Sequence, residues 1–182
     1  MARDARQKIL DGAVDLLRVE GGGSITLDAA ARAAGLTKPG LMYHFPTKEA
    51  LMVAVVDHVA QRWVELLVSR LDEPTETASP YQRFRAYVEI SLTVPFDRAD
   101  FAIYADAHYR AALTDSWVRR IEPWLALPDS LPQAARARLT AARLLADGYW
   151  TSAATGVFLV PARDRDQLMA VAEDLLKEET SR

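Results

Sequence analysis

The 182-residue chain has no cysteine, three histidines, and no apolar run approaching the ~18 residues that would cross a bilayer. Without cysteine there are no disulfides, no thiol catalysis and no thiolate metal sites, and the staples of a small secreted domain are gone. His44, His58 and His108 stand at no metal-ligand or nucleophile spacing, so neither a metal nor another cofactor is expected. No stretch alternates apolar and polar residues over a strand length with turn signals at both ends. The first residues, Met1 to Arg6, run straight into a charged amphipathic pattern, and a cytoplasmic protein that does not enter membranes is expected.

Half of the residues are hydrophobic and about a quarter are charged, a globular composition with ample core material. The net charge is −3, yet its distribution is uneven. Residues 1–48 carry Arg3, Arg6, Lys8, Arg18, Arg32, Lys38 and Lys48 against Asp4, Asp11, Asp15, Glu20 and Asp28, and the remainder is acidic. An excess that small identifies no nucleic-acid partner without a motif.

Spacings of three and four recur along the whole chain, which predicts an all-α fold of about nine helices. Ile9, Ala13, Leu16 and Leu17 stripe a first helix that ends at Gly21-Gly22-Gly23. Thr26 caps a short second helix reaching Ala34, Gly35 supplies a left-handed turn, and Thr37 caps a third helix with Pro39 in its first turn. Phe45, placed before Pro46, closes it. Thr47 caps a long fourth helix of about 24 residues, with Leu51, Val55, Val59, Trp63, Leu66 and Leu67 inward. Further helices are predicted near 81–94, 97–112, 114–126, 132–157 and 164–179, with Pro123 ending or kinking its helix. The expected division is a helix-turn-helix domain over residues 1–48, with its motif near 25–44, and a ligand-sensing and dimerisation domain over 49–182.

Two short helices joined by Ala34-Gly35-Leu36, with the small Ala31 four residues before the glycine, fit a helix-turn-helix whose tight turn sets the crossing angle. Lys38 and Lys48 sit in first turns, where the helix dipole disfavours a cation, so each makes better sense facing a phosphate than as a solvated lysine. Capping alone accounts for Thr26 and Thr37 as well as capping with phosphate contact does. Gly40 costs about 1 kcal/mol relative to Ala in a helix, which close approach to DNA or tight packing on the first helix would justify. Tyr43 is assigned to a backbone phosphate, and His44 either to a phosphate or to a hydrogen bond within the domain.

The segment Thr26 to Leu51, with its capping threonines, its Ala-to-Gly turn, the Tyr43-His44-Phe45 cluster and Lys48-Glu49-Ala50-Leu51, resembles the TetR family of repressors. The resemblance runs over about residues 5–55 and implies that the third helix is the recognition helix. Met42 stands where that family often has an aromatic residue, and Ala30 where it usually has a larger aliphatic one. The DNA-contacting candidates are thus Thr26, Thr37, Lys38, Pro39, Gly40, Tyr43, His44 and Lys48.

In the rest of the chain Trp63, Phe84, Tyr87, Phe101, Tyr104, His108, Trp117 and Trp150 concentrate aromatic area, either as a pocket for an apolar or planar ligand or as ordinary core. Asp106, Asp147 and Glu89 neutralise a cationic ligand if they point inward and are merely solvated if they do not. Ala141, Leu145, Gly148, Ser152, Leu168, Val171 and Leu175 are candidates for a four-helix dimer interface, the alternative being packing within the monomer. Together these predict a dimeric, ligand-responsive repressor of a palindromic DNA operator, regulated by a small-molecule effector and not an enzyme. The competing readings are a helical enzyme using His108 with Asp106 or Asp147, and a dimerisation module that does not bind DNA.

Overall fold

A threonine hydroxyl sets the start of each of the three helices that follow the first. In the computed structural model, which describes residues 2–19 and 25–178, α1 spans Ala2–Val19 and buries Ile9, Leu10, Ala13, Val14 and Leu17. The glycine run expected to end it lies outside the described residues. Helix α2 (Leu27–Ala33) begins where Thr26 Oγ1 accepts the Ala29 N–H at 3.1 Å. Gly35 turns the chain at φ 68°, a conformation that an L side chain resists, and the Leu36 N–H reaches back to the Ala31 carbonyl at 2.8 Å. Helix α3 (Lys38–His44) is capped by Thr37, with Pro39 in its first turn, and ends at an extended Phe45. Thr47 Oγ1 accepts the Ala50 N–H at 3.0 Å and opens α4 (Lys48–Val68). At 21 residues α4 is shorter than the sequence predicts, because Arg70 and Leu71 already donate to Leu67 and Val68 in tighter turns.

Helix α5 (Pro80–Thr93) carries a full capping box, in which Ser79 accepts the Gln82 N–H while the Gln82 side chain accepts the Ser79 N–H. Helix α6 (Arg110–Leu125) contains Pro123 in its last turn and ends two residues later. Helix α7 (Gln133–Thr155) stops at Gly156, φ 71°, and α8 covers Arg165–Leu175. The described residues form no strand.

One predicted helix is different in kind. Instead of an α-helix over 97–112, the chain forms a 3₁₀ helix at Arg98–Tyr104 followed by a turn, and α6 starts at Arg110. Carboxylates at both ends of the segment bond to nearby backbone: Asp97 Oδ1 accepts the Ala99 N–H and Asp106 Oδ1 the His108 N–H, both at 3.0 Å. Such local side-chain bonds offer the backbone an alternative to the α-helical ladder.

The chain packs as two compact units, one of residues up to 63 with 97–121, the other of 64–96 with 122 onward. In the first, Leu41, Leu51, Val55 and Leu113 are fully buried, as is the inward face of α1, and a Cβ at Gly12 would lie 3.1 Å from Ala33, so α2 approaches α1 at a glycine. In the second, Phe84, Val88 and Leu92 of α5 pack against Leu139, Ala142 and Ala146 of α7 and Ala172 and Leu176 at the end of α8.

The first unit also holds a charged cluster. Arg62 of α4 donates to Asp97 at 2.5 Å and to Asp100 at 2.7 Å, and Arg18 of α1 donates to Asp97 at 2.8 Å. Burial would raise the Asp97 pKa, but the hydrogen bonds from Arg18, the Ala99 amide and Arg62 outweigh it and hold the carboxyl well below the usual range. Asp100 is buried deeply enough that its pKa is pushed up despite Arg62. The depressed Asp97 contributes stability that is present above the unfolded-state value of about 3.9 and is lost as pH falls below it toward the folded-state value. The expected result is an acid-side drop in the urea midpoint that is shallower in Asp97→Asn than in wild type. Equal pH profiles for the two proteins would contradict it.

Candidate nucleic-acid interface

Helix α3 buries little of itself. Leu41 points into the core and Phe45 follows it at the cap, while Lys38, Pro39, Met42 and Tyr43 are exposed and Gly40 and His44 are half-buried. Tyr43 is 83% exposed, an extreme value for a large aromatic side chain, and its ring meets His44 edge-on at 5.2 Å. Thr37 and Lys38 stand at the N-terminal end of α3, Thr26 at that of α2 and Lys48 at that of α4.

Both threonines cap as the sequence indicates. Gly40 has a clearer explanation than packing against α1: the atoms nearest to an added Cβ are Thr37 Oγ1 at 3.3 Å and Leu36 Cβ at 4.0 Å, and among the described residues no α1 atom comes as close. The glycine keeps the face beside the cap low.

Both lysines have carboxylate partners within the chain. Lys38 Nζ lies 2.9 Å from Asp28 Oδ2 of α2, and Lys48 Nζ lies 2.9 Å from Asp106 Oδ2. Each first-turn cation is thus offset by a carboxylate of the chain itself, an account of their placement that needs no phosphate. Only Asp28 carries a sequence signal, as an acid ten residues before Lys38 in the first turn of α2; Asp106 is distant in sequence.

The three carboxylates considered for a cationic ligand likewise face cations of the chain: Asp106 pairs with Lys48, Glu89 with Arg70 at 2.7 Å and Asp147 with Arg143 at 2.5 Å. Asp147 also accepts the Tyr87 hydroxyl at 2.7 Å. The Asp106 carboxylate accepts the backbone amide of His108 as well as pairing with Lys48.

The aromatic candidates divide between the units. Trp63 and Trp117 meet edge-on at 6.0 Å in the first unit, with Phe101 and Tyr104 paired at 5.8 Å and His108 exposed. In the second unit Phe84 is core, Tyr87 is tied to Asp147, and Trp150 meets Phe96 at 5.4 Å beside a cavity of about 270 Å³ whose lining includes Ser91, Phe96, Tyr149, Trp150 and Arg165. Phe96 and Arg165 are members that periodicity alone does not pick out.

Leu145, Gly148, Ser152 and Leu168 line one apolar groove along α7 together with Leu144, Val157 and Phe158, and Val171 lines a neighbouring one. Ala141, Gly148 and Val171 are exposed, and Leu145, Ser152, Leu168 and Leu175 half-buried. Leu144 is 55% exposed, and a Cβ at Gly148 would meet nothing within 4 Å. Leu139, Ala142 and Ala146 are the fully buried residues of α7, and Leu145, Leu168 and Leu175 pack against the same core within the monomer.

Residues 9–55 match the family model for bacterial regulatory proteins of the tetR family, and residues 82–177 match the model for the tetracyclin repressor-like C-terminal domain. The chain belongs to the TetR family. RutR of Escherichia coli K12, an HTH-type transcriptional regulator, is 30% identical to this TetR-family protein over 92 residues, which are 50% of this chain and 42% of RutR. The match therefore spans less than half of that relative. A TetR-family member from Streptomyces coelicolor A3 superimposes with a TM-score of 0.63 at 18% identity, covering 96% of this chain and 99% of the other. The multidrug binding protein EbrR, solved in complex with ethidium, gives the same score, identity and coverage. At that identity the likeness establishes the shared fold.

Proposed function

We propose that this TetR-family protein is a DNA-binding transcriptional regulator that acts as a homodimer on a palindromic operator, repressing until a small apolar or aromatic ligand releases it. The observation that carries the reading is the outward face of α3, where Tyr43 stands almost fully exposed beside a low glycine and above a capped, lysine-bearing N-terminus. An exposed tyrosine on a helix held by a single fully buried leucine contributes nothing to the core; it suits a phosphate or base edge. Thr26, Thr37, Lys38, Pro39, His44 and Lys48 are assigned to the backbone around it, since helix N-termini and cations favour phosphate. On this reading residues 1–48 bind DNA and residues 49–182 sense and dimerise.

Dimerisation is supported by the exposed apolar face of α7 and α8. Glycine within a helix costs about 1 kcal/mol relative to alanine, and among the described residues nothing lies within 4 Å of where a Cβ at Gly148 would be. A second copy supplies that neighbour. Recognition of a palindrome needs two α3 helices about 34 Å apart, which a twofold dimer provides. The ligand reading rests on the aromatic cavity beside Trp150 and on the ethidium held by EbrR.

A gel-shift titration on DNA upstream of the protein's own gene tests the reading. A specific complex that weakens steeply with salt is expected, and the absence of any such complex sinks the proposal. Lys48→Ala is expected to weaken binding to all sequences about equally and to lower the salt slope by about 1, as for one lost phosphate contact. An unchanged slope removes Lys48 from the interface.

A further inference from the structure

The Lys48 ammonium sits in a socket formed by the turn 105–109. It lies 2.9 Å from Asp106 Oδ2 and 6.0 Å from the centroid of the Tyr109 ring. Asp106 is the more sheltered partner, its side chain 14% exposed against 31% for Lys48, and its second oxygen accepts the His108 N–H. The 3₁₀ helix just before the turn is in turn anchored to α1 and α4, through Asp97 with Arg18 and Arg62 and through Asp100 with Arg62. The carboxylate is therefore a fixed negative charge beside the first turn of α4, while the lysine has a flexible four-carbon stem. The Lys38 and Asp28 pair differs, with both side chains about half exposed to competing water.

A phosphate arriving at the start of α4 meets a cation whose charge is already matched and a carboxylate that repels it. We propose that Asp106 withholds Lys48 from the DNA backbone and thereby sets the affinity of the protein for DNA, the ammonium exchanging from carboxylate to phosphate on binding. This rests on the reading that the α4 N-terminus faces DNA. Asp106 is then an affinity-determining residue that never touches the nucleic acid, and any movement of the turn 105–109 changes the charge presented to phosphate.

The test measures fluorescence anisotropy with a labelled duplex of about 30 base pairs of arbitrary sequence, since phosphate contacts are blind to sequence. Wild type, Asp106→Asn, Lys48→Ala and the double variant are titrated over a range of salt. Asp106→Asn is expected to bind about three- to tenfold tighter at a salt slope close to that of wild type, since Lys48 neutralises one phosphate in both complexes and only its competing carboxylate is lost. That gain is expected to vanish when Asp106→Asn is made in Lys48→Ala. Asp106→Ser, which keeps an acceptor for the His108 N–H, serves as the second variant if the first fails to fold.

Unchanged or weaker binding by Asp106→Asn overturns the proposal, and so does an equal gain in the Lys48→Ala background, which would be general charge repulsion. If Lys38→Ala still weakens binding in either case, the DNA-binding reading stands and only the role of Asp106 falls. If wild type and every variant fail to bind duplex even at low salt, the DNA-binding reading fails first and this proposal with it.

Discussion

Placing a charge at Leu144, as Leu144→Asp, is expected to convert the protein to a monomer and to weaken its binding to a palindromic duplex by about a hundredfold or more. Leu144 is 55% exposed on α7 beside the groove lined by Leu145, Gly148 and Leu168, so within one chain the substitution meets solvent and leaves the helix content unchanged. In a dimer it buries an unpaired carboxylate against an apolar partner, which association does not tolerate. Two half-sites held by one dimer gain about 10² to 10⁴ over one held alone, through effective concentration. Val171→Asp, on the neighbouring groove, is expected to act in the same direction. Sedimentation velocity with far-UV circular dichroism checks both statements together. A dimer that survives either substitution removes this face from the interface.

Leu41→Ala is expected to cost about 2–5 kcal/mol and to abolish DNA binding at growth temperature. Leu41 is fully buried and is the only buried residue within α3, a helix of seven residues that has too few turns to persist by itself. Its loss leaves the Thr37 cap and the Phe45 turn to hold α3. Chemical denaturation gives the cost, and a nearby surface change such as Met42→Ala, at a residue 40% exposed, is expected to stay within about 0.5 kcal/mol. Equal effects of the two would mean that α3 is not anchored through Leu41.

What the sequence made legible was local. Thr26, Thr37 and Thr47 begin helices because a hydroxyl three residues before an amide satisfies it, and Gly35 turns because its φ is positive; each needs only near neighbours. The helical class followed from periodicity in the same way. The segment 97–112 was misread because its conformation depends on partners far along the chain. Asp97 and Asp106 each accept a backbone amide two residues on and also pair with cations far along the chain, Asp97 with Arg18 and Arg62 and Asp106 with Lys48. No window of sequence contains both halves of those bonds.

The same limit shaped the site. Lys38 and Lys48 stood out as cations in first turns, which was sound as far as helix electrostatics goes, but their carboxylate partners were not visible in that frame. Asp106, Asp147 and Glu89 looked like candidates for an external cation and turned out to face internal ones. The aromatic residues were identified by type, yet their division between two compact units is a property of the fold. Of the residues considered for a dimer interface, Gly148 and Leu168 line the groove along α7, as do Leu144 and Phe158, the latter 94% exposed, which were not singled out.

Selection of binding sites from a pool of random-sequence duplexes tests the central claim most directly, because it requires no knowledge of the operator. The recovered sequences are expected to be inverted repeats with half-sites centred about one helical turn apart, and their enrichment is expected to be lost with Tyr43→Ala combined with Lys38→Ala. Recovery of no enriched sequence, or of sites that the double variant enriches equally well, would contradict the assignment of α3 as the DNA-reading helix.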